Sequence, residues 1–399
     1  MVLTVRRREK PRSKNNDLIT QTWRNANIPH PESPDRHARG VRTDNMKHIG
    51  IIGGGGISET HARAAREIAD VEIAAFYGDN YEKTAQLSQK YGGTVYREFA
   101  EFLAHQPLDL VIIGSPSALH AEQGIAAARR GLHVLTEKPI DVTTAKADEL
   151  IAACAEAKVK LGICFQDRVA PDLQRLKQIL ASGRLGKLIM VSGYVKWYRP
   201  PEYYANSRWR GRRELDGGGA LMNQGVHTID LLLWFVGGVD RVYARTVTAL
   251  HNIEVEDTVV ATLEFRNGAV GTVEAGTSIY PGYKRRMEIT GSEGTIILEH
   301  DRIVAADLLE PDPGLVIPAA GDTNASASSP IVSDIGGHRR LIEDFLRAMA
   351  TGGPPVCDGP EGRRSVELIE AIYESSRTGM PVSLRTEPGA VVTGPRSLG

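Results

Sequence analysis

Four consecutive glycines, Gly53 to Gly56, stand between a short apolar run and a segment of helical periodicity. His48–Ile52 reads as a strand and Ile57–Ala69 as a helix. A strand that turns on glycine straight into a helix opens a dinucleotide-binding βαβ unit. The G-x-G-x-x-G/A pattern then falls on Gly53, Gly55 and Ser58. Gly53 permits the tight turn, Gly55 lets a pyrophosphate approach the backbone, and the third position must be small so that the helix packs on the strand. Gly56 and Ile57 begin the helix, whose free amides meet the phosphate charge. A plain flexible turn is the alternative for a lone glycine run, and the strand–turn–helix context favours the cofactor.

The alternation continues. Strands are expected at Val71–Tyr77, Leu108–Gly114, His133–Thr136 and Lys160–Phe165, with helices at Tyr81–Tyr91, Ala118–Arg130 and Thr143–Ala157. This is the rhythm of an α/β Rossmann domain with a doubly wound parallel sheet, over residues 46–165. After Gln166 the texture changes. A helix at Pro171–Ser182 precedes strands at Leu188–Trp197, Arg241–Leu250, Thr258–Phe265, Ala269–Gly276, Arg285–Gly291 and Gly294–His300, with one helix, Ala220–Phe235, among them. Asn267-Gly268 marks a tight hairpin. Residues 166–335 therefore read as an α+β domain with an open, mostly antiparallel sheet that carries substrate and oligomer contacts. Residues 311–329 read as a loop, His338–Ala350 and Glu361–Thr378 as helices closing the fold over 336–384, and 385–399 as a flexible tail.

Composition narrows the function. The net charge is −1, so no global field favours nucleic acid or an acidic membrane. No apolar run approaches the roughly 18 residues of a membrane span. The three cysteines, Cys154, Cys164 and Cys357, form no CxxC and no metal-type cluster, so no metal is expected and a reducing compartment, the cytoplasm, fits. Residues 1–45 are basic, polar and aperiodic, with Arg6, Arg7, Arg8, Lys10, Arg12 and Lys14 at their start. They read as a disordered extension, a basic interaction arm, or a stretch ahead of the true start at Met46.

An acidic residue that binds the adenosine ribose is expected about 20 residues beyond the glycines. Asp79, after Gly78, is the candidate, and a solvated turn residue is the alternative. No arginine adjoins it in sequence, so NAD is favoured and NADP remains possible.

At this point the sequence resembles the Gfo/Idh/MocA family of NAD(P)-dependent oxidoreductases. The motifs are IGIIGGGGIS, SPSALH (Ser115–His120), TEKP (Thr136–Pro139) and GGGALMNQGVHTIDLLLWFVG (Gly217–Gly237), with the closing segments GHRRLIEDFLRAM and EGRRSVELIEAIYESSRTGMPVSL. The resemblance spans Met46 to Leu384. It implies that Lys138 lies near the reacting carbon and the nicotinamide, that Glu137 and Pro139 fix the backbone there, and that Ser115, Pro116 and His120 contact the cofactor. Arg168 matches a family position near the cofactor, and a structural ion pair is its alternative. The family carries an Asp and a His spaced i, i+4 on one helical face. Here these positions are Asn223 and His227, so the histidine matches and the carboxylate is missing.

Hydride removal from a carbinol also needs a proton acceptor. His227 suits that role because imidazole titrates near working pH. Lys138 can polarise the oxygen, and Asn223 can hydrogen-bond substrate. A helix-face histidine and a surface lysine are the plainer alternatives. Lys196, Trp197, Tyr198, Arg199, Tyr203, Tyr204, Trp209 and Arg210 concentrate aromatics and cations. Lys196, Tyr198, Arg199, Trp209 and Arg210 are the candidate contacts to a polyol or acidic sugar, or else belong to a loop packed on the sheet. The expected function is a dehydrogenase or reductase of a sugar, inositol or related polyol. A redox-neutral hydrolase or epimerase that retains NAD, and a non-enzymatic sensor on the same fold, are the competing readings. A homodimer or homotetramer through the open sheet is expected.

Overall fold

A computed structural model of the chain describes residues 46–315, 317 and 335–384. The expectations for residues 1–45 and 385–399, and for most of the loop over 311–329, lie outside the described residues.

β1 (Lys47–Ile52), β2 (Val71–Tyr77), β3 (Thr94–Tyr96), β4 (Leu110–Ile113), β5 (His133–Thr136) and β6 (Leu161–Ile163) form a six-stranded sheet. The order is β3-β2-β1-β4-β5-β6, and every pair is parallel. α1 (Gly56–Arg66), α2 (Tyr81–Tyr91), α3 (Phe99–Leu103), α4 (His120–Ala128) and α5 (Thr144–Glu156) make the crossovers. The four residues of β4 and the last four of β1 are fully buried aliphatics or glycine, as a sheet covered on both faces requires. Between β1 and β4 the winding reverses direction. That switch point, outside the carboxyl ends of the strands, is where such sheets bind ligands. β3 and α3 escape sequence reading because three and five residues are too few to show a period.

α6 (Pro171–Ala181) leads into the second sheet, which contains β7 (Leu188–Lys196), β8 (Val239–Val247), β9 (Thr258–Phe265), β10 (Val270–Gly276), β11 (Arg286–Gly291), β12 (Gly294–Glu299), β13 (Arg302–Leu308) and β14 (Val382–Ser383). Its order is β13-β12-β11-β7-β10-β9-β8-β14, antiparallel except for the central β7–β10 pair. Asn267 makes the expected hairpin: its Oδ1 accepts from the Ala269 amide at 3.0 Å, and Gly268 takes φ +86°. Two short helices, α7 (Pro201–Ala205) and α8 (Arg213–Asp216), precede α9 (Val226–Val236). α10 (Gly336–Thr351) packs on α1, whereas α11 (Gly359–Thr378) packs on α5, α9 and β8. α11 thus ties the two sheets together.

One face of the large sheet lies against α9 and α11. The other carries alternate residues that no described element covers: Met190, Tyr243, Val260 and Val270 are each about half exposed. No helix of the described residues is long and apolar enough to cross a membrane.

The helix expected over Ala220–Phe235 is not uniform. Ala220–Gly225 is π-helical and only the remainder, α9, is regular. The cause lies before it. A Cβ on Gly219 would fall 1.7 Å from the Glu256 carbonyl oxygen, so the chain is pressed against that strand entry. The Glu256 carboxylate accepts from the Gly219 and Leu221 amides, both at 2.9 Å, and holds the wide turn open. Asn223 and His227 therefore straddle a junction instead of sharing one α-helical face.

Candidate active site

Gly53 has φ +117°, and a Cβ there would lie 2.6 Å from the Gly114 carbonyl oxygen and 2.5 Å from Ser58 Oγ. The turn therefore requires glycine, and Ser58 is the small residue buried beneath it. Gly55 is the N-cap of α1 in extended conformation, with no side chain capping the helix. A Cβ on Gly55 or Gly56 would meet nothing within 4 Å. Open space over unclaimed helix-start amides fits the pyrophosphate of a dinucleotide. Asp79 is exposed beyond the carboxyl end of β2, while its neighbour Asn80 caps α2 by accepting from the Lys83 amide at 3.0 Å.

Three expected cofactor contacts face inward instead. His120 is 1% exposed, with Nδ1 2.7 Å from the Pro139 carbonyl and Nε2 3.0 Å from the Ser115 carbonyl. It is a strut between the Ser115–Pro116 loop and the Lys138–Pro139 bend, whose peptide is cis, and it keeps no ring nitrogen for a ligand. Arg168 is 2% exposed and spends its guanidinium on Asp230 (Nε–Oδ2 2.9 Å, Nη2–Oδ1 2.7 Å), Glu361 (3.2 Å) and the Val356 carbonyl (3.3 Å). The ion-pair alternative describes it. Glu137 is buried and accepts from His61 Nε2 at 2.8 Å. Burial raises its pKa, but the His61 hydrogen bond and the charges of His61, His338 and Lys138 outweigh this and bring it to about 2.

His61, Glu137 and His338 offer metal-type ligand atoms within 4.8 Å of one another. The short His61–Glu137 contact is a hydrogen bond, and Nδ1 of each histidine is buried without a partner. Metal-bound imidazoles almost always donate that second nitrogen to an outer acceptor. The trio is an internal tie between α1, the end of β5 and α10.

Lys138 follows Glu137 and points the other way. Its Nζ donates to the Asn223 carbonyl at 2.9 Å. Burial pushes the ammonium pKa down, opposed by Glu137, Asp216 and Asp167 and reinforced by Arg210. Asn223 turns its amide to Asp216, Nδ2 to Oδ1 at 2.9 Å, and the Gly211 amide donates to the other Asp216 oxygen at 2.9 Å. Burial pushes Asp216 up to about 6 despite those bonds and the charges of Lys138 and Arg210. His227 Nδ1 lies 3.5 Å from Asp167 Oδ2, and Phe165 sets its ring edge-on to the imidazole, centroids 5.7 Å apart. Asp167 is clamped by Arg285, whose charge, with that of His227, holds the carboxyl far below its ordinary value against the cost of burial.

Lys138, Asn223 and His227 thus gather with two carboxylates that sequence reasoning missed. Asp216 immediately precedes the glycine triplet and Asp167 follows β6, so both sit where ligand-binding turns occur. The expected Asn223–His227 pairing is not made.

Of the candidate substrate contacts, Arg210 comes nearest. Its guanidinium covers Tyr203 (4.5 Å to the ring centroid) and Trp209 (5.1 Å), and its charge acts on Lys138 and Asp216. Tyr203 accepts from Gln224 Nε2 at 3.0 Å, beside Asn223, and Arg199 lies over Tyr203 at 5.5 Å. Lys196 goes elsewhere. It has the strand parity of Met190, on the face away from α9, and pairs with Glu274 at 2.7 Å. Tyr198 packs against the exposed Tyr280, 5.3 Å between centroids.

Comparison with known proteins agrees with this architecture. The model of the oxidoreductase family's NAD-binding Rossmann fold matches residues 47–165, and that of the GFO/IDH/MocA C-terminal domain matches residues 173–297. D-xylose 1-dehydrogenase (NADP(+)) 2 of Haloferax volcanii is 32% identical over 84% of this chain and 99% of its own length. Myo-inositol 2-dehydrogenase of Thermotoga maritima is 25% identical over 84% of this chain and 98% of its own. The WlbA dehydrogenase of Bordetella pertussis, solved in complex with NADH and UDP-GlcNAcA, superposes with a TM-score of 0.79 at 34% identity, covering 86% of this chain and 99% of that one. With a glycine turn between β1 and α1, a lysine after β5 and a histidine on α9 in one continuous fold, the chain belongs to the Gfo/Idh/MocA family of NAD(P)-dependent oxidoreductases and is a dehydrogenase or reductase acting on CH–OH groups.

Proposed function

We propose that this enzyme interconverts a carbinol and a carbonyl on a sugar or polyol, with an acidic sugar favoured. The observation that carries the reading is the joining of Lys138 and His227 by one set of charges. Asp167 acts on both, and the Asn223 carbonyl holds the lysine at 2.9 Å. NAD⁺, which the turn at Gly53, Gly55 and Gly56 would hold, would supply the hydride acceptor for the carbinol carbon. In the same step His227 Nε2, which has no partner among the described residues, takes the hydroxyl proton. The Lys138 ammonium stabilises negative charge as it develops on that oxygen. Asn223 keeps Lys138 in reach through its carbonyl and Asp216 in place through its amide.

Arg210, set over the Tyr203 and Trp209 rings next to this cluster, favours a carboxylate on the substrate. The carboxylated nucleotide sugar named with WlbA supports the same class. Asp79 favours NAD, since it would repel a 2′-phosphate. The uncovered sheet face with Met190, Tyr243, Val260 and Val270 supports a homodimer or homotetramer, which light scattering would refute by finding a monomer at working concentration. Three unpaired, buried cysteines support a cytoplasmic enzyme.

The test is incubation with NAD⁺ and a panel of neutral sugars, polyols and sugar acids while reduced nicotinamide is followed by absorbance. Cofactor reduction with sugar acids above neutral sugars is expected. Product without net reduced cofactor would overturn the dehydrogenase reading in favour of redox-neutral chemistry. Equal turnover of neutral sugars would overturn the acidic preference.

A further inference from the structure

The family resemblance places a carboxylate one turn before the α9 histidine, and this chain has Asn223 there. Asn223 is turned to Asp216. Asp230, the other nearby acid on α9, is consumed by Arg168 at 2.7 and 2.9 Å. The helix therefore offers His227 no carboxylate of its own. One arrives from a different element: Asp167, in the turn Gln166–Val169 after β6, sets Oδ2 3.5 Å from His227 Nδ1. That nitrogen is buried, and no other acceptor among the described residues competes with Asp167 for it.

Asp167 is itself held. Arg285 grips the carboxylate through Nη1 and anchors its own Nη2 on the His300 carbonyl at 3.0 Å. Phe165, two residues before Asp167, meets the imidazole at 90° and limits its rotation. A line of contacts thus runs from Arg285 through Asp167 to His227, crossing from the large sheet to α9.

We infer that Asp167 is a positioning residue that fixes the tautomer of His227, with Asn223 offering the imidazole no carboxylate from α9. A neutral imidazole carries one N–H, and the nitrogen that faces a carboxylate keeps it. With the proton on Nδ1, the lone pair is on Nε2, the nitrogen left for the substrate hydroxyl. Without Asp167 the ring is free to carry its proton on Nε2, and that form cannot act as the base. The inference rests on the reading of His227 as the base.

The experiment is nitrogen NMR of histidine-labelled full-length protein without substrate, at a pH where the ring is neutral, with the His227 signals assigned from an H227Q spectrum. Wild type should show the Nδ1–H form. D167N should lose that preference, because the amide can donate to Nδ1. Its kcat should fall by about 10²–10⁴, with KM and NAD affinity little changed. D167E should recover part of kcat and of the tautomer preference, which a purely structural role would not produce. Wild-type His227 found as the Nε2–H form would overturn the inference even if D167N failed to fold. So would a D167N protein with unchanged tautomer and unchanged kcat. Full activity in H227Q would instead remove the histidine as base, and the tautomer result would still report separately on Asp167.

Discussion

Gly53 and Gly55 are two residues apart in one turn, and the structure gives them opposite reasons to be glycine. Gly53→Ala would put a side chain on a backbone at φ +117°, a strain of about 1–3 kcal/mol. It would also force a Cβ to 2.6 Å from the Gly114 carbonyl oxygen, a backbone atom next to an amide already tied to the Ile52 carbonyl at 2.8 Å. Overpacking of that kind costs about 1–3 kcal/mol more. The sum, about 2–6 kcal/mol, is a large part of the 5–15 kcal/mol or so that a domain commonly has. Gly55→Val meets neither obstacle. Its backbone is extended (φ −92°, ψ −179°) and a Cβ has nothing within 4 Å, so the expected cost is the loss of a good N-cap residue, below about 1 kcal/mol. What the valine does fill is the space above the first amides of α1. Two charge-assisted hydrogen bonds lost there are worth about 3–6 kcal/mol, or about 10²–10⁴ in NAD affinity. Denaturant unfolding and calorimetric titration with NAD separate the two effects. Unchanged NAD affinity in Gly55→Val, or a stability loss equal to that of Gly53→Ala, would refute the assignment of this turn to the pyrophosphate.

Three further outcomes are expected. Asp79→Ala should narrow the preference for NAD over NADP, and wild type preferring NADP in steady-state kinetics would mean that Asp79 does not face the ribose. Asn223→Asp should not couple to His227; it should oppose Asp216, whose Oδ1 is 2.9 Å from the present amide, so that one of the two carboxyls stays protonated. Raised folded-state carboxyl pKa values make stability fall as pH rises, and unfolding curves for the variant that deepen from acid to neutral pH would show it. Burial holds His338 down at about 4 against an ordinary 6.5, so folded protein resists its protonation and stability drains away as pH falls through that window, by up to about 3 kcal/mol. The difference between wild type and His338→Leu isolates this contribution from Asp216, which acts with the opposite sign, and parallel pH profiles for the two proteins would refute it.

Much of the scaffold was legible because buried strands and amphipathic helices announce themselves by period. β2, α2, β5 and β9 lie where alternation and apolar runs place them. β13, with Arg302 and Asp307 interrupting its apolar residues, and the two-residue β14 were not visible, because edge strands carry little apolar pattern. The glycine turn, Lys138 and His227 were readable as types at positions. Side-chain direction was not. Nothing local says that His120 and Arg168 turn inward to carbonyls and carboxylates, or that Lys196 has the wrong strand parity for the pocket. The π-helical turn at Ala220–Gly225 arises from a carboxylate some 35 residues later, Glu256, and it redirects Asn223 to Asp216. Asp167 and His227 are likewise 60 positions apart by number and adjacent only through the packing of α9 against the turn after β6.

The central claim is that Lys138 and His227 perform the proton chemistry while the glycine turn binds the cofactor independently. It is tested most directly by steady-state kinetics of Lys138→Ala and His227→Ala beside calorimetric titration of each with NAD. Each variant should show kcat lower by about 10²–10⁴ with NAD affinity close to wild type. Full turnover in His227→Ala, or loss of NAD binding in step with loss of turnover, would contradict it.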